Sequence, residues 1–179
     1  FRVEKNEIPY PILYTINSLS FNCIDMDIHD ESCVVAVGDT FGGIHAWHIN
    51  FATTKNETQK TYKKQDFQHN GIVTCVSVHK NTVITGGCDK ECSIWDIQHD
   101  TSTKIVYVGT ILTCVAVRGN RVAYATDWGV TIVDDVSKST PPREYYYMGE
   151  YPPHDFIIIQ EDLSVISGGC SQIMIWKES

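Results

Sequence analysis

Apolar and polar residues alternate along residues 69–97, and this alternation predicts three short β-strands joined by tight turns. A period of two is typical of strands with one buried face, and it runs through residues 72–78 and again through residues 81–85. Residues 86–89 (GGCD) are of types that tolerate positive φ, so they indicate a turn. Residues 92–97 then return as a third strand.

The same three-strand pattern occurs four times, and its copies keep the same phase along the chain. The third strands end at positions 47, 95, 133 and 176, which are 48, 38 and 43 residues apart. The segment TCVAV at 113–117 nearly repeats TCVSV at 74–78. A period of about 40–45 residues with several strands indicates a propeller-type array. The predicted single domain has units at approximately 17–68, 69–108, 109–150 and 151–179, with residues 1–16 as a candidate closing strand.

Residues 69–97 resemble one blade of the WD-repeat β-propeller family. They share with it a histidine before the first strand, an aspartate in the second turn and a Trp-Asp pair ending the third strand. In that family a buried network of His, Ser or Thr, Asp and Trp braces the blade. The resemblance assigns these structural roles to His69, Thr85, Asp89 and Trp95. It implies an all-β propeller with about four blades of antiparallel strands in this chain.

The other three units match the family pattern less completely. In the first unit, Asp39 lies eight residues before Trp47 instead of six, so the sequence leaves open whether this unit has the bracing network. In the third unit, Val133 replaces the tryptophan, and Asp127 is the one network residue that keeps its place. In the fourth unit, Lys177 replaces the aspartate of the Trp-Asp pair.

Two arrangements of the blades remain open. Residues 13–16 complete the last blade and close a small ring, or the chain is one part of a longer propeller. The longer propeller is favoured, because four blades lie at the lower limit of the roughly four to eight that propellers carry.

Composition and charge narrow the class of partner. The net charge of −8 argues against nucleic acid and anionic membranes, which attract basic surfaces. No apolar run approaches the length of a membrane-spanning helix. The seven cysteines are odd in number and lack CxxC spacing, which indicates reduced thiols and an intracellular location, cytoplasmic or nuclear.

The sequence predicts no catalytic, cofactor-binding or metal-binding residues. His69, Thr85 and Asp89 are the residue types of a hydrolase triad, but their spacing within one blade favours the structural role. Cys88 and Cys92 lie near His99 and suggest zinc. Their hairpin positions and the lack of a fourth ligand favour structural thiols.

Aromatic residues are the candidates for partner contact. Trp128 lies in a tight turn, and Phe41 occupies a comparable hairpin of the first unit. Tyr145, Tyr146 and Tyr147 are consecutive, so in a strand they cannot all point to one side. Exposed aromatic side chains are enriched in protein interfaces. The alternative is that Trp128 packs on a neighbouring blade and that the tyrosines cover a sheet edge.

The function expected from these features is that of a non-catalytic scaffold that binds other proteins. By resemblance it is a subunit or substrate adaptor of a larger intracellular complex. The alternative is a propeller enzyme, or a small-molecule or metal-binding module that uses the central channel. That alternative requires charged residues that converge from successive blades at one strand end, and no such recurring set is evident in the sequence.

Overall fold

The computed structural model describes residues 20–50, 60–63, 68–99, 101–133, 135–138, 142–146, 155–169 and 172–177. Within these ranges every regular element is a β-strand, and the strands form four antiparallel sheets. The prediction of an all-β fold is therefore confirmed. The candidate closing strand at residues 1–16 lies outside the described residues.

Strands follow one another in chain order across each sheet. Sheet I contains β1 (Phe21–His29), β2 (Ser32–Asp39), β3 (Ile44–Asn50) and β4 (Lys60–Lys63). Sheet II contains β5 (Val73–His79), β6 (Thr82–Gly87), β7 (Glu91–Asp96) and β8 (Thr101–Tyr107). Sheet III contains β9 (Leu112–Arg118), β10 (Arg121–Thr126), β11 (Gly129–Val133) and β12 (Arg143–Tyr146). Sheet IV contains β13 (Phe156–Ile159), β14 (Val165–Gly169) and β15 (Gln172–Trp176).

Three hydrophobic cores lie between consecutive sheets. The first joins residues of sheet I, such as Val34 and Ala46, to Val73 and Trp95 of sheet II. The second joins sheets II and III, and the third joins sheets III and IV. Sheet III is covered on both faces, so all six positions of β10 are buried. This explains why β10 reads as a nearly continuous apolar run instead of alternating.

The first strand of each sheet lies at the inner edge of the array. Strands β1, β5, β9 and β13 contact one another in that order. Together they line a cavity of about 500 Å³. The array therefore has an inner side, formed by the first strands, and an outer side, formed by the last strands.

A register irregularity recurs near the start of the first strand in sheets I, II and III. It skips Asn22, Thr74 and Thr113, respectively, and such bulges re-aim the side chain of the extra residue. Asn22 Nδ2 donates to the carbonyl oxygen of Val73 at 2.9 Å, and Thr74 Oγ1 donates to that of Leu112 at 2.8 Å. The bulges thus aim polar side chains at the next sheet and fix the spacing between sheets.

Candidate functional site

A buried hydrogen-bond network joins three of the four residues assigned to the blade brace. His69 lies just before β5, Thr85 lies in β6, and Asp89 lies in the turn between β6 and β7. His69 Nδ1 is 2.9 Å from Asp89 Oδ1, and His69 Nε2 is 2.9 Å from Thr85 Oγ1. An ionised carboxylate only accepts hydrogen bonds, so Nδ1 of the imidazole is the donor to Asp89.

Backbone groups also bind the Asp89 carboxylate. The N–H of Asn70 donates to Oδ2 at 2.8 Å, and the N–H of Glu91 donates to Oδ1 at 3.2 Å. Burial raises the pKa of Asp89, but the hydrogen bonds from His69 and Asn70 outweigh it, and the net pKa lies below its ordinary value. The carboxylate is therefore held ionised inside the turn that it organises.

Trp95 does not join this network. Its ring is buried in the core between sheets I and II, and within the described residues its indole nitrogen has no hydrogen-bond partner. At the equivalent position of sheet IV, Trp176 Nε1 donates to Ser167 Oγ at 2.9 Å. The hydroxyl of sheet II that corresponds to Ser167 is Thr85, which is bound by His69. Sheets II and IV thus use the same strand hydroxyl for different partners.

Sheet I has a brace of its own, built from a histidine that the sequence reasoning missed. His45 Nε2, in β3, is 2.9 Å from Asp39 Oδ2. The other oxygen of Asp39 accepts the backbone N–H groups of Phe41 at 2.7 Å and Gly43 at 2.8 Å. His45 also stacks on Trp47, with ring centroids 6.3 Å apart. The sequence feature that could have identified His45 is its position two residues before Trp47, because residues two apart in a strand lie on the same face of the sheet.

Polar side chains of the inner strands bind the backbone of the next sheet, in another arrangement that the sequence reasoning missed. Asp25 Oδ2 accepts the N–H of Val78 at 2.7 Å, and Asp27 Oδ2 accepts that of Lys80 at 2.6 Å. His79 Nδ1 accepts the N–H of Gly119 at 3.1 Å. These groups tie sheet I to sheet II and sheet II to sheet III.

The inner strands end in polar or charged residues at one end of the array. The turns after the first strands begin next to His29, His79 and Arg118, and Glu161 follows β13. Arg118 Nη2 lies 3.5 Å from Glu161 Oε1. This end, defined by the turns after β1, β5, β9 and β13, is called the charged end below. Equivalent strand ends carry different residue types here, as the sequence indicated, and the contact between Arg118 and Glu161 joins sheets III and IV.

The opposite end of the array carries the predicted contact aromatics. Phe41, in the β2–β3 turn, is 70% exposed, and Trp128, in the β10–β11 turn, is 69% exposed. In an antiparallel sheet the start of the first strand lies at the same end as these turns. Other exposed apolar side chains therefore share this aromatic end: Phe21, Ile72, Ile111 and Phe156.

The high exposure of Trp128 argues against the alternative that it packs on a neighbouring blade. A small cavity of about 140 Å³ lies beside it, lined in part by Val108, Thr126 and Val130. The backbone of β12 pairs Tyr146 with Gly129 and Tyr145 with Val130, next to the Trp128 turn. The side chains of Tyr145 and Tyr146, and all of Tyr147, lie outside the described part of the structure.

Metal and thiol chemistry receive no support from the described residues. They contain no group of three or more His, Cys, Asp or Glu side chains arranged to hold a metal ion. Cys92 is fully buried, and burial raises the pKa of its thiol well above the ordinary value. Burial likewise raises the pKa of Cys75 and Cys114 to about 12. Such thiols pack as small apolar groups, because little thiolate is present near neutral pH.

No helix long and apolar enough to cross a bilayer occurs in the part of the chain that the structure describes.

Comparison with known proteins gives matches of fold alone. No family model and no curated protein matches the sequence. The WD40 repeats of RRP9 superpose with a TM-score of 0.63 at 13% identity, over 90% of this chain and 49% of that one. The computationally designed Ika4 protein superposes with a TM-score of 0.65 at 17% identity, over 89% of this chain and 91% of that one. The computationally designed Ika8 protein superposes with a TM-score of 0.53 at 16% identity, over 88% of this chain and 58% of that one.

The fold is propeller-like. The chain spans about half the length of the RRP9 WD40 chain that it matches. Propellers consist of short antiparallel sheets arranged around a central channel, and the described residues likewise form short antiparallel sheets that follow one another along the chain.

Proposed function

We propose that this chain is a non-catalytic propeller module of the WD-repeat type, whose four sheets act as blades and whose aromatic end binds other proteins. The observation that carries the proposal is the joint exposure of Phe41 and Trp128 at one end of the array. A WD40 structure among the fold matches supports the same class of module.

The aromatic end has the chemistry of a protein-binding surface. Large aromatic side chains contribute strongly to interfaces because they bury much area and lose few rotamers on binding. Phe41 and Trp128 come from turns of sheets I and III, so one partner surface can contact several sheets at once. The cavity beside Trp128 is of a size to receive one partner side chain.

The polar groups that suggest chemistry are already engaged in holding the fold together. The His69 side chain is 1% exposed, and Thr85 is 2% exposed, so a substrate carbonyl has no access to this hydroxyl. Asp25, Asp27 and His79 bind backbone N–H groups of the adjacent sheet. These contacts support structural roles for the residues that resemble catalytic ones.

Charge and cysteine chemistry support an intracellular protein partner. The net charge of −8 disfavours the phosphate contacts that dominate nucleic-acid binding. No disulfide joins two of the described cysteines. Free thiols in a small all-β domain are consistent with a reducing compartment, cytoplasmic or nuclear. The proposed role is that of a subunit or substrate adaptor in a larger complex.

The proposal is tested by quantitative affinity purification of the tagged protein from its own cells. The wild type is compared with a Phe41→Ala/Trp128→Ala variant and with Glu31→Ala, a matched exposed change at the charged end. Loss of a stoichiometric partner from the aromatic variant alone, reproduced with the purified partner, is the expected result. Equal recovery of the partner by all three proteins would contradict the proposal.

A thermal-shift screen separates this scaffold from a propeller that binds small molecules in its channel. Ligands that bind only the folded state raise its apparent stability by mass action. We expect no stabilisation by common metals and metabolites. A consistent rise in Tm that is abolished by Asp27→Asn, in the cavity, would favour the small-molecule module instead.

A further inference from the structure

The cavity beside Trp128 combines an aromatic residue with an acidic one. Its volume is about 140 Å³, and we name it the Trp128 pocket. Within the described part of the chain, Glu144 is the one charged residue that lines it. Val108 and Val130 supply apolar walls, and the other described lining residues are three threonines and a glycine. The pocket is therefore partly apolar, and the charge at its wall is negative.

A tight hairpin turn holds Trp128 at this pocket. Thr126 pairs with Gly129, so Asp127 and Trp128 are the two residues of the turn. The backbone N–H of Trp128 donates to Thr126 Oγ1 at 3.2 Å, and Thr126 is itself buried. The turn that presents the exposed indole ring is thus formed before any partner arrives. A preformed contact residue lowers the ordering cost of binding.

Trp128 and Glu144 attract the same kind of group. The face of an indole ring carries negative potential and attracts a Lys or Arg cation within about 6 Å of the ring centroid. A carboxylate binds the same cations through charge-assisted hydrogen bonds. An ionised carboxylate has about four acceptor positions, so Glu144 can bind an incoming cation in addition to a contact within the chain. Because both residues line one pocket, a single cationic group can contact both of them.

Other side chains fit the Trp128 pocket less well. An apolar side chain would take the Glu144 carboxylate out of water without giving it a partner, which costs free energy. An acidic side chain would be repelled by the same carboxylate. A guanidinium group, by contrast, stacks on an aromatic ring and donates paired hydrogen bonds to a carboxylate. The pocket therefore favours arginine first and lysine second.

Neighbouring turns add negative charge to the aromatic end. Asp39 ends β2, Asp89 lies in the β6–β7 turn, and Asp127 lies in the β10–β11 turn. Lys90 is the one lysine or arginine in these turns and the β2–β3 turn, all of which the structure describes. Burial raises the pKa of Asp39 and Asp89, but hydrogen bonds outweigh it and hold both pKa values below the ordinary value. A surface with this excess of negative charge increases the rate at which basic partners associate.

We propose that the Trp128 pocket binds an arginine or lysine side chain of the protein partner, and that the cationic group contacts the Trp128 ring and the Glu144 carboxylate. This inference rests on the proposed function and deepens it, because it states which chemistry the partner presents to the aromatic end. A partner segment with an exposed basic residue is the class of ligand that the pocket selects.

Nuclear magnetic resonance of the isotope-labelled full chain tests the pocket with two small probes. The cationic probe is N-acetyl-arginine-N′-methylamide, and the neutral probe is its citrulline analogue, which has nearly the same shape without the charge. The readout is the indole N–H signal of Trp128, which is identified by its absence from Trp128→Phe. We expect the arginine probe to shift this signal with a millimolar dissociation constant, about tenfold lower than that of the citrulline probe.

Two variants separate the contribution of the carboxylate from that of the ring. Glu144→Gln removes the charge and keeps the size, so it should weaken binding of the arginine probe about threefold and leave the citrulline probe unaffected. Trp128→Leu removes the aromatic face and keeps an apolar side chain, and it should weaken the arginine probe by a similar factor. Binding to Trp128→Leu is followed on the backbone signals of Thr126 and Val130. Glu31→Gln, a matched exposed change at the charged end, should bind both probes like the wild type.

Three results would overturn the inference: no shift of the Trp128 signal by the arginine probe, equal affinities for the two probes, or undiminished affinity of Glu144→Gln. The proposed function fails by a different result, namely a partner that is retained by Phe41→Ala/Trp128→Ala. If that variant loses the partner while the two probes bind equally, the aromatic end binds proteins through apolar contacts, and only the assignment of a basic side chain is wrong.

Discussion

His69 Nδ1 lies 2.9 Å from Asp89 Oδ1, although twenty residues and two strands separate them along the chain. The pair links the segment before β5 to the turn after β6. The imidazole carries the link onward to Thr85 on the second strand. Sheet II is therefore fixed by a polar brace at the aromatic end of the array.

Asp89→Ala is expected to lower the free energy of unfolding by about 1–3 kcal/mol, because it leaves the His69 imidazole and two backbone N–H groups without their acceptor. Urea denaturation monitored by tryptophan fluorescence measures the change. Glu161→Ala is the control: its carboxylate is 92% exposed, so we expect no measurable loss. Equal losses in the two variants would contradict the structural role of Asp89.

Gly87→Ala is expected to disrupt the same brace through steric contact. A Cβ at this position would lie 2.6 Å from His69 Nδ1 and 2.7 Å from Asp89 Oδ1, so one of these groups must move. Overpacking of this kind costs about 1–3 kcal/mol. In a double-mutant cycle the cost of Gly87→Ala should fall once Asp89 is already alanine, because part of the obstruction is gone. Strict additivity of the two changes would argue against a shared brace.

Ser167→Ala in sheet IV is expected to cost about 1–3 kcal/mol, because the N–H of Trp176 loses its acceptor. Ser167 is fully buried, so water does not readily replace the lost hydroxyl. Combining Ser167→Ala with Trp176→Phe should recover part of the loss, since neither partner is then left unsatisfied. Denaturation midpoints of the two single variants and the double variant measure this coupling.

Stability is expected to fall as the pH drops through the range in which the unfolded histidine titrates. Burial lowers the pKa of His79 below its ordinary value of 6.5, and Nδ1 must be unprotonated to accept the N–H of Gly119. The unfolded chain therefore binds the proton more readily than the folded one. The stabilisation is complete above about pH 6.5 and is lost progressively below it.

His79→Asn is the variant that isolates this effect. Its side-chain oxygen keeps an acceptor near the N–H of Gly119 but does not titrate. Thermal melts between pH 5 and pH 8 should show a weaker dependence on pH than in the wild type. If the slope of Tm against pH is the same in this variant as in the wild type, titratable groups other than His79 cause the pH dependence of stability.

The first strand of sheet II could be predicted because apolar and polar residues largely alternate there, whereas β6 is buried at five of its six positions and was placed by the turns that flank it. The brace residues His69, Thr85 and Asp89 could be placed by resemblance, and the structure brings them together. Trp95 was assigned to the same set but lies in the inter-sheet core, without a hydrogen bond among the described residues. Resemblance to the family predicts where these residues lie in the sheet. It does not predict which side chain binds the Thr85 hydroxyl, and in this structure that side chain is His69 and not Trp95.

The brace of sheet I and the ties between inner strands could not be predicted in the same way. The family pattern places the bracing histidine before the first strand of a blade, whereas in sheet I the histidine that binds Asp39 is His45 of β3. A search for a histidine before the first strand therefore misses it. Asp25 and Asp27 look like solvent-facing positions in an alternating strand. Their partners are backbone groups of the next sheet, and only the packing of sheets reveals that these carboxylates point inward and Ile24 points outward.

Each hydrophobic core among the described residues lies between two consecutive sheets and contains side chains from both. Unfolding free energy is then a sum over contacts between neighbours, as in a one-dimensional chain of coupled units. Among the described residues, sheets II and III have two such couplings each, whereas sheets I and IV have one each. Amide protons should therefore exchange fastest in sheets I and IV and slowest in sheets II and III. Adding or removing one sheet at either end changes the unfolding free energy by the contribution of that sheet and of one contact between neighbouring sheets.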